Sequence, residues 1–381
     1  MDFDFTWLLW GLPIAFALGW GASRFDLRQW RIESRQAPKA YFRGLNHLLN
    51  EQQDQAIDAF IEAVQGDPDT AELHFALGNL FRRRGDYDRA VRVHEHLLSR
   101  ADIGRKDRDR AQHALALDFL KAGLLDRAES ALQKLQGSDF EAEALLALLG
   151  IYERSRDWPQ AQQIAQRLES AEQGSFATRL AHYLCEEAEL AQRAGDSAKA
   201  MQLLNDAVQR APQLARGWMA LSVLKAQGGD AQGAFDALLK LNQHAPQNLP
   251  LAARALAELA RQTGRQAEAI TLLQASHERA PAIDITEALA SLSSDTEAQR
   301  ARYLSHLERE PSLVITTQWL AGETLSNPVA QISVNRALEQ ASAPLQRYRC
   351  AACGFEARQH FWQCPGCQTW DSYPARRVEE L

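Results

Sequence analysis

Small residues recur along the chain at a fixed distance of 34 positions: Gly44 with Gly78, Ala56 with Ala90, Ala200 with Ala234, and Pro212 with Pro246. Ala128, Ala161 and Ala269 occupy the same place at spacings of 33 to 39. A period of this length belongs to a unit of two amphipathic helices that cannot bury its apolar face alone and stacks on its neighbours to do so. Gly78 and Ala90 are expected where the two helices touch, since a larger side chain there would force them apart. Leu77, Phe81, Tyr87 and Leu97 around them follow the spacing of buried helix faces. Gly85, Gly123, Gly195, Gly229 and Gly264 each fall five residues before a second-helix alanine and mark the turn between helices, while Pro68, Pro212, Pro246 and Pro281 close units. The expected fold class is an all-α solenoid over residues 39–343. Seven units fit between Lys39 and Pro281, and one or two degenerate closing repeats fit the stretch from Asp284 to Ala343.

Four of the five cysteines lie within eighteen positions, as Cys350-x2-Cys353 and Cys364-x2-Cys367 separated by ten residues. Two residues between cysteines let one tight turn direct both sulfurs at a single ion, and Gly354 and Gly366 are expected to permit the two turns. Four thiolates complete a tetrahedral shell for one metal ion, iron or zinc, so His360 is not needed as a ligand. A metal-binding domain over 347–376 has too little core to stand alone. Phe355, Trp362 and Trp370 are expected to cover the site. The apolar area of Trp362, Trp370 and Tyr373 exceeds what one metal site needs, so packing against the helical array, across its groove, is predicted. The alternative is a free knuckle on the Ala341-Ser342-Ala343-Pro344 linker. Cys185, alone on a first helix, reads as a small buried hydrophobe.

Residues 5–22 carry no charge and, at 1.5 Å per residue, reach about 27 Å, near the thickness of a bilayer's hydrocarbon. The predicted order is a short periplasmic tail (1–4), a transmembrane anchor (5–23) and a basic juxtamembrane segment (24–38). Asp2 and Asp4 ahead of the apolar run argue against a cleaved leader. Arg24, Arg28, Arg31 and Arg35 after it keep the bulk of the chain in the cytoplasm of a single-pass inner-membrane protein, and their spacing allows contact with anionic lipid. Gly11, Ala15 and Gly19 recur every fourth residue, a spacing that lets a second helix approach closely and allows a homodimer. The net charge of −7 argues against a nucleic-acid partner. No phosphate-binding loop or nucleophile elbow is written in the chain, and His94-Glu95-His96 lacks the spacing of a zinc protease, so no catalytic residues and no enzyme are expected.

The helical unit resembles the tetratricopeptide repeat, whose tryptophan, leucine-glycine, tyrosine, alanine and proline pattern is met by His74, Leu77-Gly78, Phe81 and Ala90, and by Trp218, Leu221-Ser222, Ala234 and Pro246. The resemblance implies a groove lined by first helices, to which Phe75, Asn79, Arg82 and Arg83 of the second unit would contribute. For Arg82-Arg83-Arg84 a solvated charged turn is the competing reading. The knuckles resemble the rubredoxin type with a shorter intervening loop, which favours a structural clip over electron transfer. Anchor, array and four-cysteine domain in this order resemble the bacterial lipopolysaccharide assembly protein B family. That resemblance implies an inner-membrane adaptor that regulates lipopolysaccharide synthesis. It would do so by promoting proteolysis of the lipid A pathway deacetylase by the membrane AAA+ protease, with other lipopolysaccharide assembly proteins as further partners. A rubredoxin-like redox module and a membrane-tethered co-chaperone are the alternatives.

Overall fold

The computed structural model describes residues 13–20, 39–66, 70–323 and 328–381. Residues 13–20 are helical and exposed, and among the described residues no helix is long and apolar enough to cross a membrane. Ala15 and Gly19 lie on that helical stretch, with open space where a Cβ on Gly19 would stand. Gly11, Arg24, Arg28, Arg31, Arg35 and Pro68 lie outside the described residues. The chain divides into two compact units, residues 1–151 and 152–381.

In the first unit, α1 (residues 39–49) is followed by α2 (Gln53–Gly66), α3 (Ala71–Arg84), α4 (Tyr87–Ser99), α5 (Arg105–Lys121), α6 (Leu125–Gln133) and the start of α7 (Glu141–Ser155). Leu73, Leu77, Leu80 and Phe81 of α3 pack with Ala56, Ile57, Phe60 and Ala90 in one core cluster. Helix α3 ends because Gly85 adopts φ +88°, which turns the Asp86 N–H back onto the Phe81 carbonyl at 2.9 Å. Gly78 lies so close to α4 that a Cβ there would fall 2.5 Å from His94 Nε2. That imidazole is fully buried. Its Nδ1 lies 2.5 Å from Asp118 of α5, and Asp118 in turn accepts from Arg82 at 2.9 Å.

This packing corrects the groove assignment. Phe75 is 1% exposed and packs on Leu97 and Ala111, with the Arg110 guanidinium 4.1 Å above its ring. It joins neighbouring helical pairs and cannot line an open surface. Arg82 is neither a groove residue nor part of a solvated turn: its side chain is 18% exposed, and it donates to Asp118, to the Ala114 carbonyl and to Asn79. Only Arg83 of the four is exposed, Asn79 being half-buried. The family pattern places first-helix side chains by position alone, whereas α5 brings a buried carboxylate that draws Arg82 inward.

In the second unit, α8 (Trp158–Ser170), α9 (Ala177–Arg193), α10 (Ser197–Arg210), α11 (Ala215–Gln227), α12 (Ala231–His244), α13 (Leu249–Thr263) and α14 (Gln266–Arg279) follow. Their core is continuous, from Ala181 through Phe235, Leu238 and Leu256 to Leu289. Three second helices start on an aspartate whose carboxylate accepts the amide three residues on: Asp157 from Gln160, Asp196 from Lys199 and Asp230 from Gly233. Beyond Pro281 come α15 (Ile283–Ser291), α16 (Thr296–Leu307), α17 (Leu313–Ala321) and α18 (Pro328–Ser342). The chain then forms a two-stranded antiparallel hairpin, β1 (Tyr348–Arg349) with β2 (Glu356–Ala357), pairing Tyr348 with Ala357 and Arg349 with Glu356.

Candidate metal centre

The β1–β2 turn carries the first cysteine pair. Cys350 N–H donates to the Phe355 carbonyl and Gly354 N–H to the Cys350 carbonyl, both at 2.9 Å, with Gly354 at φ +78°. The second pair repeats the turn, Cys364 N–H reaching the Thr369 carbonyl and Gln368 N–H the Cys364 carbonyl. The left-handed residue is here Gln368, φ +61°, and not Gly366. Both left-handed positions directly follow the second cysteine of their pair. At Gly366 a Cβ would make only ordinary contact, 3.5 Å from Phe355 and 3.6 Å from Cys353 Sγ, so the turn does not require glycine there.

The four sulfurs all lie within 4.8 Å of one another, with Cys350–Cys367 at 3.8 Å and Cys353–Cys364 at 3.7 Å. An ion bound at ~2.3 Å from four tetrahedral thiolates sets its sulfurs ~3.8 Å apart, so the cluster fits one metal ion, zinc or iron. Cys350 and Cys364 are buried at 1% exposure, while Cys353 and Cys367 reach the surface. Burial alone would raise the Cys350 thiol, but the Ser372 hydroxyl and the backbone N–H groups of Cys353 and Ala352 bring it down to about 6. At Cys353 the Phe355 amide favours the thiolate, yet burial and the neighbouring sulfurs push it up to about 12. Four thiols this close cannot all ionise without a cation among them. His360 is not a ligand: its Nε2 lies 3.0 Å from the Tyr373 carbonyl.

The aromatic side chains divide differently from the sequence reading. Phe355 stays by the sulfurs, partly exposed, whereas Trp362 packs into the core of the repeats and Trp370 leaves the metal for them as well. Trp370 stacks on His182 of α9 at 4.4 Å between ring centroids, meets Trp158 and Tyr183 edge-on at 6.2 Å, and donates its indole N–H to Glu153 at 3.1 Å. Tyr183 donates to the same carboxylate oxygen at 2.5 Å. Next to Trp370, the Asp371 carboxylate lies 3.0 Å from the buried His182 Nε2. Burial lowers the His182 pKa and Asp371 pulls against it. Tyr373 fills the knuckle's own core with Tyr348, Cys350 and Cys364, and Leu251 of α13 packs against that core.

The last residues extend the seat. Arg377 pairs with Asp284 of α15 at 2.6 and 2.9 Å and lies 4.3 Å above the Tyr348 ring. Glu380 accepts the first amide of α15, that of Ile283, at 2.8 Å. Glu379 accepts the first two amides of α17 and the Ser312 hydroxyl. A carboxylate at an uncovered helix N-terminus meets both free N–H groups and the positive end of the dipole. Domain and tail thus lie along the first helices of successive pairs, α7, α9, α13, α15 and α17. The predicted docking is what the structure has. Cys185, on α9, is buried, and burial pushes its thiol up to about 11.

Stacked two-helix repeats with a four-cysteine clip seated on them define a repeat scaffold with a rubredoxin-type domain. Residues 73–110 match the tetratricopeptide repeat family and residues 348–373 match a family described as a rubredoxin metal binding domain. The chain is similar along its length to Lipopolysaccharide assembly protein B of Escherichia coli strain K12, with 31% identity over 386 residues, 97% of this chain and 98% of that protein. It is 26% identical to the protein of the same name from Haemophilus influenzae, over 95% of this chain and 96% of that one. The chain belongs to the lipopolysaccharide assembly protein B family.

Proposed function

We propose that this protein is a non-enzymatic, membrane-anchored scaffold that regulates lipopolysaccharide synthesis. In this reading residues 5–23 hold it in the inner membrane with the N-terminus in the periplasm, and the repeats present partners in the cytoplasm. The scaffold brings the lipid A pathway deacetylase to the membrane AAA+ protease and so shortens its lifetime; other lipopolysaccharide assembly proteins and membrane lipid are further contacts. The observation that carries the reading is the end-to-end similarity to relatives named for lipopolysaccharide assembly, which covers array and four-cysteine domain together. The metal serves as a clip that holds the C-terminal domain on the first helices, since a closed four-thiolate shell leaves no position for a substrate.

The deciding measurement is the half-life of the deacetylase in cells that lack the protein. A lengthened half-life, restored by the full chain and not by a chain without residues 1–23, is expected. An unchanged half-life with altered lipopolysaccharide would remove the proteolytic step while leaving the scaffold role. Rescue by the chain without residues 1–23 would remove the membrane requirement and favour a general co-chaperone.

A further inference from the structure

Where the metal domain meets the repeats, the seam forms an open-sided cavity of about 360 Å3, within the range of small-ligand pockets. One side is made by the repeats: Arg156 in the turn before α8, Trp158 on α8, Glu186, Glu189, Leu190 and Arg193 on α9, and Arg216 on α11. The other is the loop His360–Gln363 between the two cysteine pairs. Arg216 decides its chemistry. Its side chain is 11% exposed and Nη2 donates to Glu186 at 2.8 Å, yet Nη1 is fully buried and has no hydrogen-bond partner. A buried, charged N–H without an acceptor is unfavourable, so an acceptor that reaches it binds with advantage. Arg193 is paired to Glu189, and Arg156 is exposed with no ion pair among the described residues. Three guanidinium groups against two carboxylates leave one positive charge in excess. Around it the walls are apolar: Trp158, Phe361, Trp362, and Leu190, which is 53% exposed at the edge.

We infer that this seam is a receptor site for a peptide carboxylate adjoining an apolar side chain, assembled only while the metal clip is closed. Once the Arg216 guanidinium turns toward the cavity, the carboxylate accepts from Nη1 and faces Arg156, a planar acceptor for a planar donor. The neighbouring apolar side chain lies against Trp362 and Leu190. Because residues 360–363 are strung between Cys353 and Cys364, metal loss removes one wall. The site stands independently of which pathway the partner belongs to.

The test uses the full, metal-loaded chain and three short probes followed by the indole N–H signals of 15N-labelled protein. They are acetyl-Ala-Leu-Phe with a free terminal carboxylate, its terminal amide, and acetyl-Ala-Phe-Asp amide, whose carboxylate is on a side chain. The free acid or the aspartyl probe should bind at least about ten-fold more tightly than the plain amide, and the tighter of the two identifies the source of the carboxylate. Arg216→Gln and Leu190→Glu should each lose that preference. Leu190 is a surface position, so its variant should keep the parent unfolding midpoint and separate loss of binding from loss of fold. Chelation of the metal should abolish binding. Equal binding of acid and amide, a carboxylate preference that survives Leu190→Glu, or binding unchanged by chelation overturns the proposal. So does displacement by inorganic phosphate of a probe that shows no carboxylate preference.

Discussion

The residue after each cysteine pair decides whether two sulfurs can face one ion. Gly354 and Gln368 both hold left-handed backbone, at φ +78° and +61°. Glycine does so without a steric cost, and any other residue loses roughly 1–2 kcal/mol there. Gly354→Ala is therefore expected to destabilise the metal-loaded domain by about 1–2 kcal/mol, and Gln368→Gly to leave it unchanged or slightly firmer, both read from urea midpoints. The sequence points at Gly366 because glycine is conspicuous, yet the equivalence of positions 354 and 368, each one past a cysteine pair, was there to be counted. The same limit explains Phe75 and Arg82. Nothing near them in the chain announces that Asp118, thirty-six positions after Arg82, is buried beside it. His182 adds a dependence on pH. Its folded pKa lies below the 6.5 of an exposed imidazole because burial outweighs Asp371. The unfolded chain thus binds the extra proton first, and the contribution, complete above about pH 6.5, fades as the pH falls toward the folded value. The stability deficit of His182→Gln should shrink between pH 7.5 and 5, which paired urea titrations would reveal; a constant deficit would show that the imidazole keeps one charge state throughout.

At the level of elements, the helices were legible from one dimension of pattern. Glycines and alanines at period 34 placed the turns and close crossings, because a crossing tolerates only small side chains and a turn only left-handed backbone. A second punctuation went unread. Asp196 and Asp230 follow turn glycines and cap the next helix, and at the corresponding turn Arg156, φ +58°, stands in for glycine ahead of Asp157. What the chain could not disclose was which first helices the metal domain would choose, since His182, Glu153 and Asp371 are unremarkable alone and meet only in three dimensions. Trp370 is the central contact. Trp370→Ala should weaken the seat by about 2–3 kcal/mol, from lost apolar burial and ring stacking. Hydrogen exchange would then rise in α9 and in residues 348–373 while the metal content stays at one ion per chain. Metal lost along with the seat would mean that the two cannot be separated.

For the whole molecule, metal and docking form one linked equilibrium within the second unit. Removing the ion, or Cys350→Ser, should speed amide exchange across residues 348–381, at the starts of α15 and α17 that Glu379 and Glu380 cover, and on α9 beneath Trp370. The repeats of the first unit should be unaffected. A change confined to residues after Pro344 would show that the helices do not depend on the domain they carry. The long separations in this seat also set an order in time. Glu153 finds Trp370 217 positions later and His182 finds Asp371 189 positions later. At roughly 5–20 residues per second, a ribosome takes about 10–40 s to travel from His182 to Asp371. During that interval Trp158, Tyr183 and His182 stand on a finished helix face with nothing to cover them. Each newborn chain therefore passes through a period of exposed aromatic surface that ends with the arrival of its last thirty residues and an ion, and scarcity of that ion during growth would lengthen the period in which the chain is prone to aggregate or be degraded.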